Sequence, residues 1–150
     1  MCPYIKREER SQYDELIVHI LQSDDGFSST HADELIALLK PLDITAVDGH
    51  FNYFLTKTLK LLNGLRATIY LEPFRGFILK VLRGVYQPKY FNYNRAIGML
   101  FCVALEYERR NGKRNSFLVK TFLGSVAYTF YQETVAIYEN QKIAENSDIE

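Results

Sequence analysis

Apolar residues in this chain recur at three- and four-residue intervals almost from end to end, and that period constrains the fold more than any other feature. Side chains three or four apart share one face of an α-helix, whereas a half-buried strand needs strict alternation. Tyr13, Leu16, Ile17, Ile20 and Leu21 form one such stripe, on a helix expected from about Glu8 to Gln22. Thr30 and Asp33 give an approximate capping box for a second helix bearing Leu35, Ile36, Leu38 and Leu39, which Pro41 stops. A third carries Phe51, Leu55, Leu59 and Leu62, with Asp43 or Asp48 as its cap and Asn63-Gly64 as its end. Pro73 suits the first turn of a fourth, which holds Phe74, Phe77, Ile78, Val81 and Leu82 and runs to Gly84.

A fifth helix is expected from about Asn92 to Arg110, with Ile97, Leu100, Phe101, Ala104 and Tyr107 inward, until Asn111-Gly112 breaks it. The last spans about Ser116 to Ala144 and includes Phe117, Leu118, Phe122, Val126, Phe130 and Ile137. Only the stretch from Arg66 to Leu71 has strand character, and with few partners to pair with it reads equally well as extended chain. The expected fold is therefore all-α. It is a compact bundle of five or six helices, with two long C-terminal helices packed antiparallel across Asn111-Gly112.

A length of 150 residues fits a single helical domain, 1–150. Residues 1–6 read as an N-terminal arm, because Pro3 disfavours helix at Cys2, and 145–150 as a frayed acidic tail. Hydrophobic residues at 47% and charged residues at 24% describe a globular chain. Eighteen basic residues balance eighteen acidic ones, which argues against nucleic acid or an anionic membrane as a non-specific partner. No apolar run reaches the ~18 residues of a membrane span. The charged run from Lys6 to Arg10 leaves no room for an apolar signal core, and Cys2 with Cys102 makes no disulfide framework. A cytoplasmic protein is expected. Aromatics at 14% suggest a bulky core plus a subunit interface, hence a homo-oligomer; the alternative is a set of stacking platforms for a base.

Three polar constellations carry chemistry. His50, Asn52, Tyr53 and Lys57 crowd the start of the third helix, where free amides and the helix dipole favour an anion. Tyr90, Tyr93 and Asn94, beside Lys89 and Arg95, mix aromatics, amides and charge in a way that suits stacking. Arg109, Arg110, Lys113 and Arg114, with Lys120 a turn further on, form a basic knuckle that binds phosphate or simply offsets a helix dipole. Lys6, Arg7 and Arg10 beside Tyr4 are a lesser basic group.

His19, His31 and His50 are isolated in sequence, so neither a metal nor a cofactor is expected. Cys102, inside Leu-Phe-Cys-Val-Ala-Leu, reads as a buried small hydrophobe rather than a nucleophile. Glu106 is the carboxylate considered as a general base, with His50 or Tyr53 assisting. The C-terminal acids Glu133, Glu139, Glu145, Asp148 and Glu150 read as solvated.

Four segments carry a resemblance. They are Pro3-Tyr4-Ile5-Lys6 with Glu9-Arg10; Gly49-His50-Phe51-Asn52-Tyr53 with Thr56; Tyr93-Asn94 with Ile97-Gly98, Leu100, Cys102 and Glu106; and Tyr138-Glu139 with Lys142-Ile143, Glu145-Asn146 and Asp148. Together they resemble a family of small uncharacterised proteins of phages and prokaryotes. Residues 111–129 look inserted relative to shorter members, and Ser147 stands where that family has glycine. The resemblance implies an intracellular, phage-encoded protein but no activity. It also implies that Asn52, Tyr53, Asn94, Glu106, Tyr138 and Lys142 meet in space, as a site or as a polar network fixing helix register.

Three functional readings stay open. The first is a non-catalytic binding protein for a small anionic, nucleotide-like ligand or a host protein. The second is a hydrolase or transferase centred on Glu106, and the third is a structural or assembly protein.

Overall fold

Among the residues described by the computed structural model, 5–66 and 68–146, every regular element is helical. The first four residues of the expected arm and the tail from Ser147 onward lie outside that range. The helices are α1 (Ser11–Gln22), α2 (Ser29–Leu39), α3 (Ile44–Gly64), α4 (Leu71–Val85), α5 (Tyr90–Asn111), α6 (Lys113–Phe130) and α7 (Ala136–Asn146). A π-helical turn, Tyr131–Val135, joins α6 to α7, so one long helix runs from Lys113 to Asn146. None of the described helices is long and apolar enough to cross a membrane.

Local chemistry sets the boundaries. Ser28, not Thr30, caps α2, accepting from the His31 amide at 3.2 Å. Asp43 rather than Asp48 caps α3, accepting from the Ala46 amide at 3.0 Å and the Thr45 hydroxyl at 2.7 Å. Those bonds, the Thr45 hydroxyl foremost, hold the Asp43 carboxyl below its ordinary range. The first helix divides into a 3-10 turn, Arg7–Glu9, and α1. The stretch with strand character contains instead a 3-10 turn, Thr68–Tyr70, leading into α4. Without a neighbouring strand, its backbone groups have to find local partners.

The α5–α6 hairpin reverses at Gly112, whose φ of 82° is in the region that favours glycine. The two helices then pack antiparallel, with Lys120 of α6 paired to Glu108 of α5. α3 and α5 instead run side by side in the same direction. Asp48 pairs with Arg95 at one end, and Asn63 Nδ2 donates to Tyr107 Oη at 2.9 Å at the other. α2 lies so close to α4 that a Cβ on Gly84 would stand 2.7 Å from Ile36 Cδ1.

Aromatic rings fill the centre. Phe27 meets Phe74 with centroids 4.5 Å apart, Phe54 stacks on Phe77 at 5.8 Å, and Phe74 stacks on Phe122 at 5.7 Å. Burial of each such side chain contributes about 2–3 kcal/mol before entropy is counted. Some expected core residues face outward: Phe101 is 48% exposed, Phe117 73% and Ile137 52%. Cys102 is exposed as well, which corrects its reading as a buried hydrophobe. α5 is apolar on more than one face, and Tyr93, Ala96, Met99, Leu100, Val103, Ala104 and Tyr107 are the ones that win the core.

Candidate functional site

Helix α3 packs against α1 along one flank and α5 along another, and its polar residues divide between them. On the α1 flank, the buried Tyr13 hydroxyl donates to His50 Nδ1 at 2.7 Å. The other ring nitrogen, Nε2, lies 3.6 Å from the Glu9 carboxylate. A neutral ring protonated on Nε2 satisfies both neighbours. Burial holds His50 below its ordinary pKa, and Glu9 partly opposes that. Burial, with Glu9 adding to it, pushes the Tyr13 phenol upward. Tyr53 donates to Asp14 at 2.6 Å, Lys57 lies 3.9 Å from the same carboxylate, and the Arg10 guanidinium sits 5.7 Å from the Tyr53 ring centre.

This arrangement corrects the helix-start premise of the anion-site reading of His50, Asn52, Tyr53 and Lys57. Because α3 begins at Ile44, these residues are well inside the helix, where the amides bond to preceding carbonyls. Asn52 is buried and accepts from the Thr56 hydroxyl at 3.0 Å.

On the α5 flank the chain leaves space. A cavity of about 500 Å³ lies between α3 and α5, lined by Tyr53, Thr56, Lys57, Lys60, Leu61, Gly64, Leu65, Glu106, Tyr107, Arg110 and Asn111. A second, of about 350 Å³, lies nearer the helix starts and is lined by Thr45, Asp48, Gly49, Asn52, Arg95, Gly98, Met99 and Cys102. The Asn52–Thr56 hydrogen bond bridges the two. Asp48 anchors this upper end, accepting from the Tyr86 hydroxyl at 2.6 Å while paired with Arg95. Burial, reinforced by that bond, pushes the Tyr86 phenol upward.

The other sequence candidates separate. Tyr90 and Asn94 are exposed, and Tyr93 is buried edge-on between Phe130 at 5.6 Å and Tyr138 at 5.4 Å. Burial, with Tyr138 adding to it, raises the Tyr93 phenol. None of the three lines either cavity, so the expected stacking platform is not assembled there. Lys142 lies over the Tyr138 ring at 5.6 Å. Of the six residues expected to meet, Tyr53 and Glu106 share the large cavity and Asn52 borders its neighbour. Arg110 of the basic knuckle joins the cavity, while Arg109, Lys113 and Arg114 are exposed at the hairpin. His50 does not line the Glu106 cavity, so that acid–base pair is not assembled, whereas Tyr53, the other expected assistant, lines it while donating to Asp14.

Sequence reasoning missed Lys60, Leu61, Tyr107 and Asn111. The signal was present, since Lys57, Lys60, Leu61 and Gly64 follow the spacing of one helix face, and Glu106 and Arg110 lie one turn apart. No protein-family model, curated protein or solved structure matches the chain.

Proposed function

We propose that the chain is a non-catalytic binding protein whose α3–α5 cavity holds a small anionic, nucleotide-sized ligand. The observation that carries this reading is the lining: Lys57, Lys60 and Arg110 surround a cavity whose wall includes Leu61 and Leu65. Cations suit a phosphate or carboxylate, and the apolar wall with Tyr53 and Tyr107 suits a ring. Glu106, Asn111 and Thr56 supply acceptors and donors for a polar ring edge. The volume, about 500 Å³, falls inside the roughly 300–1,000 Å³ range of small-molecule sites. The two groups expected to assist Glu106 are engaged elsewhere, His50 with Tyr13 and the Tyr53 hydroxyl with Asp14, which favours binding over acid–base chemistry.

Native mass spectrometry of protein purified gently from its expression host, followed by addition of AMP, tests the reading. The expected result is a retained or added mass on the wild type that Arg110→Ala reduces. An unliganded mass that AMP does not change would contradict it.

Self-association is a second reading with its own support. Phe91, Phe101 and Leu105 stand exposed on one face of α5, and Phe117 and Tyr128 on α6 are exposed as well. Sedimentation velocity distinguishes a dimer, weakened by Phe101→Glu with Leu105→Glu, from a monomer that is indifferent to both substitutions.

A further inference from the structure

The histidines that are isolated in sequence are not all isolated in space. His19 comes from the last turns of α1 and His31 from the first turn of α2, and their rings meet nearly at right angles (83°) with centroids 5.0 Å apart. Glu34 follows His31 by three residues, on the same face of α2. One ligating atom from each of His19, His31 and Glu34 lies within 4.8 Å of the other two.

The protonation pattern of His31 makes this more than proximity. Its Nδ1 lies 2.7 Å from the Gly26 carbonyl, a pure acceptor, so Nδ1 carries the proton and donates it there. The Ser28 hydroxyl oxygen, which caps α2, lies 3.2 Å from the same nitrogen. The other ring nitrogen, Nε2, is left to face the Glu34 carboxylate at 3.8 Å. A nitrogen and a carboxylate oxygen at that separation can share a cation. A ring nitrogen fixed by a backbone carbonyl on its far side is also the usual support of a metal-binding histidine.

We propose that His19, His31 and Glu34 form a site for a divalent transition-metal ion of the zinc class. Two imidazole nitrogens and a carboxylate oxygen are a donor set that suits zinc, whose bonds of about 2.0–2.2 Å put tetrahedral ligands roughly 3.4 Å apart. The 3.8 Å separation of His31 and Glu34 is already near that spacing. His31 is buried and held, while His19 and Glu34 are exposed and can close by rotamer adjustment. The fourth position is left to water. Bound there, the ion ties the end of α1 to the start of α2 across the Ser23–Ser28 connection, so binding stabilises the fold. The site is separate from the α3–α5 cavity and does not depend on its occupant.

The test is calorimetric titration of the chelator-treated 150-residue chain with zinc chloride, paired with thermal melts. One ion per chain and a raised melting temperature are expected. His19→Gln and Glu34→Gln, both at exposed positions, should each weaken binding by roughly tenfold or more with unchanged circular dichroism. Cys102→Ser and Cys2→Ser should leave binding intact. Failure of the wild type to bind zinc, zinc binding by His19→Gln as tight as the wild type's, or loss of binding in either cysteine variant would each overturn the proposal.

Discussion

The two flanks of α3 use the same kinds of residue for opposite ends. Toward α1, the phenols of Tyr13 and Tyr53 donate to His50 and Asp14 at 2.7 and 2.6 Å, so little hydrogen-bonding capacity remains for a ligand. Toward α5, Lys57, Lys60, Glu106 and Arg110 line a cavity of about 500 Å³. A buried polar residue is costly unless satisfied, so the α1 flank spends its polarity on helix register, while the α5 flank places polar side chains around open space. Asp14 connects the two, since it accepts from Tyr53 and lies 3.9 Å from Lys57. Lys57 is therefore a poor probe of either flank, and Lys60 is the cleaner one.

The contrast breaks most visibly at His50. His50→Ala leaves the fully buried Tyr13 hydroxyl without its acceptor and opens a void, and should cost about 2–4 kcal/mol in urea unfolding. Affinity for an anionic ligand should be unaffected in the folded fraction. Tyr13→Phe, which removes the donor and keeps the ring, should cost a smaller amount, about 1–2 kcal/mol.

Lys60→Ala should do the reverse. As an exposed side chain it should shift stability by no more than about 0.5 kcal/mol while weakening AMP binding roughly tenfold. A loss of stability with no change in affinity would exchange the roles of the two flanks.

The smallest expected effect is on pH dependence. His50 has a folded pKa below its ordinary value, so the unfolded chain binds its proton first as pH falls. Its contribution is fully present above the unfolded value, about 6.5, and declines as pH drops from there toward the folded value. Urea midpoints between neutral and mildly acidic pH should therefore fall less steeply for His50→Gln than for the wild type. Parallel slopes would remove His50 from the pH dependence.

The helical class was readable because a period is a local property. Phe51, Leu55 and Leu59, or Phe74, Phe77 and Ile78, declare their helices wherever those helices pack. Caps were only partly readable: Asp43 and Asp48 are both acceptable cap residues, and the choice depends on where the preceding loop delivers the chain. The candidate cavity was half visible. Tyr53, Lys57, Glu106 and Arg110 drew attention by chemistry, but that the last two line a cavity beside α3 depends on the rotation of α5, which is set by tertiary packing. That same rotation put Cys102 and Phe101 outside and buried Tyr93 between Phe130 and Tyr138. The pairing of His19 with His31 joins two helices across a loop, and no spacing rule within one helix reports it. Only the His31–Glu34 interval carried a local hint.

The most direct test of the division between the flanks is a titration of isotopically labelled protein with AMP, followed by amide and side-chain NMR. The account predicts saturable shifts concentrated at Lys57, Lys60, Leu61, Glu106 and Arg110, with Tyr13 and His50 unmoved. Shifts centred on the Tyr13–His50 flank, or no saturable shift anywhere, would contradict it.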